Sequence, residues 1–132
     1  MPLHAACVLA LLAAKPGAHD WSSYNNGVLG TRHNAAEKAL GKENAGKLVE
    51  KWRYPRLDSL TGIGAVHGTP VVVNGHAYFG TATFPAVYKL TPSGKRKWVF
   101  TPKAVPKPVA AAGLPDAGFM NSPLVDADTV YI

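Results

Sequence analysis

Asn74-Gly75 constrains this chain more than any other pair of residues. It stands between Val71–Val73 and His76–Thr81, two runs rich in β-branched and aromatic side chains. A two-residue type I′ connection needs positive φ at both central residues, and Asn-Gly supplies this at the least steric cost, so the pair specifies a tight antiparallel hairpin. An alternating run, Ala86–Leu90, follows; a Pro92-Ser93-Gly94 turn then leads into Lys95–Phe100. His67–Phe100 therefore reads as four consecutive antiparallel strands.

The pattern restarts at Phe119–Ile132. Thr69-Pro70 aligns with Ser122-Pro123, Val71-Val72 with Leu124-Val125, Gly75 with Asp128, and Tyr78-Phe79 with Tyr131-Ile132, at a constant offset of 53 residues. Trp52 and Trp98 give a second spacing, 46 residues. Repeats of about 45–55 residues with four strands each point to a β-propeller. The expected fold is all-β: a propeller fragment with about one four-stranded blade, the start of a second, and an irregular lead-in. One blade cannot bury both its faces, and about three repeats are needed for a stable stack. The remaining blades of a longer chain are thus the expected partners, and this chain reads as the N-terminal part of that protein.

The flanking segments divide into three. Met1–Ala14 is apolar and too short to cross a bilayer; residues 1–18 fit a secretory signal peptide, or alternatively a buried N-terminal helix. Residues 19–47 form an extended lead-in, in which Trp21 and Tyr24 pin a Gly/Asn-rich strip to a surface. Asn34-Ala35-Ala36-Glu37 has the capping-box spacing of a short helix reaching Leu40, and a further turn is expected near Glu43–Gly46. Residues 48–132 hold the incomplete repeats. Leu48–Tyr54 alternates like a strand stopped by Pro55. The four prolines between Thr101 and Gly118 exclude both helix and central strand there, leaving a loop.

Composition excludes several functions. Cys7 is the lone cysteine, so no internal disulfide, cysteine metal site or haem attachment motif exists. The net charge of +6 is spread along the chain without a Lys/Arg block, which argues against a nucleic-acid partner. No phosphate loop, dinucleotide fingerprint or Ser-His-Asp order is present.

Val87-Tyr88-Lys89-Leu90-Thr91-Pro92-Ser93-Gly94-Lys95-Arg96-Lys97-Trp98 resembles the tryptophan-docking repeat of quinoprotein β-propellers. Gly68–Phe79 matches the strands that precede that repeat. Asp20-Trp21, Tyr24, Gly30-Thr31-Arg32 and Glu43–Leu48 with Trp52 resemble the opening of quinoprotein alcohol dehydrogenases and polyvinyl-alcohol-dehydrogenase-like proteins. The resemblance implies docking roles for Trp52, Gly94 and Trp98, with the indoles packed between blades. It implies pyrroloquinoline quinone and Ca²⁺ as cofactors of the parent protein, a small alcohol as substrate, and a periplasmic or secreted location. Departures are plain. Thr91 replaces the usual acidic residue, Lys89 the usual Ala, and His67 stands where cofactor-binding members carry Glu; the vicinal cysteine pair has no counterpart.

His67 and Thr69, just before the innermost strand of the blade, are the candidate cofactor-binding residues. A histidine there could bond a quinone carbonyl and move protons near neutrality, or could simply be a loop histidine bonded to backbone. Two functions remain open. One is a quinoprotein alcohol dehydrogenase as the parent. The other is a cofactor-free propeller that scaffolds protein partners, as in outer-membrane assembly, with no activity in this fragment.

Overall fold

A computed structural model describes residues 17, 19–27, 29–56, 62–103 and 118–132. Apart from Gly17, the described residues leave out the expected signal segment through Pro16, with Cys7, and Ala18. The proline-rich stretch from residue 104 to 117 also falls outside them.

The fold is all-β. Among the described residues, six strands form two antiparallel sheets: β1 (Val71–Val73), β2 (His76–Thr81), β3 (Ala86–Leu90) and β4 (Arg96–Phe100) in the first, β5 (Leu124–Asp126) and β6 (Thr129–Tyr131) in the second. The order β1-β2-β3-β4 is a simple meander. The β1–β2 turn has φ of 50° at Asn74 and 72° at Gly75, both positive as a type I′ turn requires. The β1–β2 ladder pairs Val71 with Tyr78, Val72 with Ala77 and Val73 with His76. The β5–β6 ladder pairs Leu124 with Tyr131, Val125 with Val130 and Asp126 with Thr129, which are the same positions one repeat later. Ala127, with φ of 47°, takes the place of Asn74.

Period-two alternation gives the first sheet two apolar faces. On one, Val71 and Tyr78 pack with Val73 and Trp98 and are covered by Val125 and Val130 of the second sheet. On the other, Phe79, Ala86, Tyr88 and Leu90 lie under Tyr54, Ile63 and Ala77. The Phe79 and Tyr88 rings stack at 5.1 Å, and Tyr54 tilts onto both. Such ring pairs add about 0.5–1.5 kcal/mol each beyond their area burial.

The two sheets meet at β1 and β5. The Thr69 N–H donates to Ser122 Oγ over 2.8 Å, and Gly68 lies so close to the Asn121 carbonyl that a Cβ would strike backbone. Gly80 likewise accommodates the Ile132 and Phe119 side chains. The lead-in fastens this junction from the free edge of β1. Trp21 pairs with Val72 through two backbone bonds of 2.7 and 2.8 Å, and the Val125 N–H donates to Ser22 O. Asp20 is buried and accepts from the N–H groups of Asn74 and Gly17.

Two local expectations are corrected. Leu48–Tyr54 is not a strand. Its chain crosses the face of the first sheet instead of lying along an edge, so it finds no backbone ladder among the described residues, and Leu48 and Val49 stay exposed. The capping box at Asn34 does not form either. The Asn34 Oδ1 accepts from Ala36 N–H, while the Glu37 carboxylate accepts from Ala39 N–H and meets His19 Nδ1 at 3.0 Å. A helix of under two turns with almost no buried face cannot recover its nucleation cost. The described lead-in instead has one 3₁₀ turn, Ala45–Lys47.

Candidate functional site

Because both repeats enter their inner strands the same way, the residues before β1 and β5 come to lie side by side. His67, Gly68 and Thr69 form one wall of an open cleft of about 460 Å³, and Met120, Asn121 and Ser122 form the other. At the 53-residue offset these are equivalent triplets, His67 opposite Met120 and Thr69 opposite Ser122. Tyr24, delivered by the turn after the Trp21–Val72 bridge, completes the lining. His67 and Thr69 are both exposed.

The lining is polar but uncharged by fixed ions. It offers an imidazole, two hydroxyls on Thr69 and Ser122, one carboxamide and one phenol, without Lys, Arg, Asp or Glu. Such groups suit neutral hydrogen bonding to carbonyl and hydroxyl oxygens. Among the described residues, no three His, Cys, Asp or Glu side chains come together as a metal site. Asp126 closes β5 and Asp128 sits in the β5–β6 turn, apart from the cleft. His76 is half-buried with Nδ1 3.1 Å from Asn74 O.

The three docking residues are elsewhere. Trp52 lies over Gly94 in the β3–β4 turn, its Nε1–H donating to Pro92 O over 3.1 Å. A side chain on Gly94 would enter the indole, and its φ of 76° disfavours any other residue. The meander puts this turn at the opposite end of the blade from His67. A larger hollow there, about 550 Å³, is lined by Trp52, Glu50, Arg53, Arg56, Ser93, Gly94 and Lys95, but Arg53 is already paired with Glu50 at 2.6 Å on the surface. Trp98 is on the face turned toward the second sheet, edge-on to Tyr78 at 6.2 Å. Lys89, between them on the same face, holds its ammonium 4.9 Å above the Tyr78 ring.

A sequence reading centred on His67 and Thr69 misses the rest of the lining, Asn121 and Tyr24 among it. Asn121 was within reach of the repeat alignment extended one step toward the N-terminus. Tyr24 carried no local signal, since only the bridge to β1 brings the lead-in to this end of the blade.

No protein-family model matches the chain. Among curated proteins, it is 33% identical over 109 residues to the dehydrogenase subunit of the quinone alcohol dehydrogenase of Gluconobacter oxydans (strain 621H). The match takes in 81% of this chain and 14% of that protein, so the chain spans about one seventh of its relative. The similarity supports a quinoprotein-related relationship.

Proposed function

We propose that this chain is a repeat segment of a quinone-dependent alcohol dehydrogenase, and that it contributes one sector of the cofactor site. The observation that carries the reading is the cleft between two successive repeats, formed in a chain that is similar to a quinone alcohol dehydrogenase subunit. Its neutral donors fit a quinone's carbonyl oxygens. His67, the Thr69 hydroxyl and the Asn121 carboxamide would hold them, with Tyr24 flanking the ring. When bound, the quinone supplies two-electron oxidation of an alcohol. The His67 imidazole would bond a quinone oxygen and offer a route for its proton.

The described residues do not fit Ca²⁺, which takes six to eight oxygen ligands, several of them carboxylates. The ion would be held by residues outside this set. The cleft also lacks a cation to face the three carboxylates of pyrroloquinoline quinone, so the rest of that cofactor's charge would have to be met by other blades.

The test is an absorbance titration of the longer protein that carries this segment with pyrroloquinoline quinone at fixed Ca²⁺. The expected result is a saturable spectral change at micromolar cofactor that is weakened in His67→Ala. No saturable change, or equal binding by His67→Ala, overturns the assignment.

A further inference from the structure

The β3–β4 turn end of the blade gathers the cations that the cleft at the other end lacks. Arg53, Arg56 and Lys95 line the hollow of about 550 Å³ around Trp52, against one lining carboxylate, Glu50. That carboxylate is engaged by Arg53, whose guanidinium donates to it from Nε over 3.1 Å and from Nη2 over 2.6 Å. The three cations are exposed, and Trp52, 37% exposed, gives the hollow an apolar wall. A β-bulge brings a fourth cation to this side. Lys89 pairs with Trp98 but Leu90 with Arg96, so Lys97 is an extra residue in β4. In an unbroken strand Arg96 would share the face of Trp98, two positions on. The bulge moves it to the face of its partner Leu90, where Tyr54 packs, and there its charge reaches the Tyr88 phenol. The segment that carries Arg53 and Arg56 crosses that same face. This end lies away from the junction between repeats, which is made by the inner strands β1 and β5, whereas β4 is the strand farthest from β1 in the meander.

We propose that this hollow docks an extended acidic segment of a partner protein. Its carboxylates meet the Lys95 ammonium and the Arg96 guanidinium, Arg56 adds to the positive field, and its chain lies over the Trp52 indole. Charge complementarity selects the partner, and a guanidinium fork matches a carboxylate with two parallel bonds. The exposure of the cations selects its form. An exposed ion pair is worth little by itself, so a small anion with one charge would not be retained. A segment with several carboxylates collects several such contacts in one binding event and covers the indole as well. A membrane surface is flat and would meet only the rim of the hollow. The site is at the opposite end of the blade from His67, and the proposal does not depend on quinone binding.

Fluorescence anisotropy tests it, with the protein that carries this segment titrated into fluorescein-labelled hexaglutamate. A saturable rise is expected that weakens as sodium chloride is raised, with labelled hexaglutamine giving none. Lys95→Gln and Arg96→Gln should each lower the affinity about two- to fivefold, the worth of one exposed ion pair. Lys89→Gln removes the same charge from the opposite face, where the ammonium lies over the Tyr78 ring, and should leave binding unchanged. The absence of saturable binding overturns the proposal. So does an equal loss in all three variants, because the peptide then senses only the net charge of the protein. Binding that neither Lys95→Gln nor Arg96→Gln weakens also overturns it, because the acidic segment then docks elsewhere. Phosphatidylglycerol vesicles that capture the protein through Lys95 and Arg96, where hexaglutamate does not bind, overturn it in favour of an anionic membrane.

Discussion

The backbone N–H of Thr69 donates to the side-chain oxygen of Ser122, 2.8 Å away and 53 positions later. The two residues hold the same place in successive repeats, so the bond ties the repeat to its own copy. Replacing Ser122 by alanine removes the acceptor at a partly solvated site. The expected loss is about 0.5–1.5 kcal/mol in urea unfolding, the ordinary worth of one hydrogen bond. Ser122→Thr retains the hydroxyl and should recover most of it.

Gly94 tests the packing of Trp52. A β-carbon there would come within 2.5 Å of the indole, at a residue whose φ is 76°. The backbone cost alone is about 1–2 kcal/mol for alanine in that region, and the indole must also leave Pro92 O. Gly94→Ala should therefore destabilise by more than the backbone cost. It should also shift the tryptophan emission toward the red as the Trp52 ring becomes wetter. Trp52→Phe, which keeps a ring but loses the N–H donor, should cost less.

Tyr88 predicts an alkaline limit to stability. It is 9% exposed in the stack with Phe79 and Tyr54. Burial raises its phenol above the ordinary value of 10.0, and Tyr54 adds to the rise, while Arg96 opposes it. The raised folded value means that the neutral phenol is the form the fold accommodates. Its contribution is fully present below the unfolded tyrosine value and is lost as pH climbs from there toward the folded one. Unfolding midpoints should fall with pH in that window, and Tyr88→Phe should flatten the fall. Phenolate absorbance of the folded protein should lose a late-ionising component in Tyr88→Phe.

How much of this was legible in the sequence follows from where each interaction lives. The β1–β2 hairpin was readable because Asn74-Gly75 fixes its turn locally between β-branched and aromatic runs, and β3 falls on the alternating run Ala86–Leu90. The second hairpin was readable because the repeat copies the first. Leu48–Tyr54 misled because its alternation is real but its neighbours lie beneath it, not beside it; a strand needs an edge, and sequence periodicity cannot report one. The Asn34 capping box failed for a related reason, a correct end signal on a segment with no face to bury. At the cleft, His67 and Thr69 were placed by their position before β1. Tyr24 was invisible because a lead-in residue reaches the site only through the Trp21–Val72 bridge.

That bridge depends on Asp20, and the dependence can be measured. Both carboxylate oxygens are in use: Oδ1 accepts from Asn74 N–H over 2.8 Å and Oδ2 from Gly17 N–H over 2.7 Å. Asparagine has nearly the same shape but one acceptor oxygen, so Asp20→Asn turns an amide NH₂ toward one of two backbone donors. Both donor residues, Gly17 and Asn74, are exposed, so water can take up the freed N–H, and global stability should fall by about 0.5–1.5 kcal/mol, the worth of one hydrogen bond. If Asp20 holds the lead-in against β1, the Trp21 and Val72 amides, which bond each other's carbonyls, should also exchange with solvent faster than the drop in global stability accounts for. Asp128→Asn, on an exposed turn residue, serves as the control and should change stability by less than about 0.5 kcal/mol. Equal exchange at Trp21 and Val72 in the wild-type chain and Asp20→Asn would mean that the bridge stands on its own, with Asp20 serving only the hairpin turn.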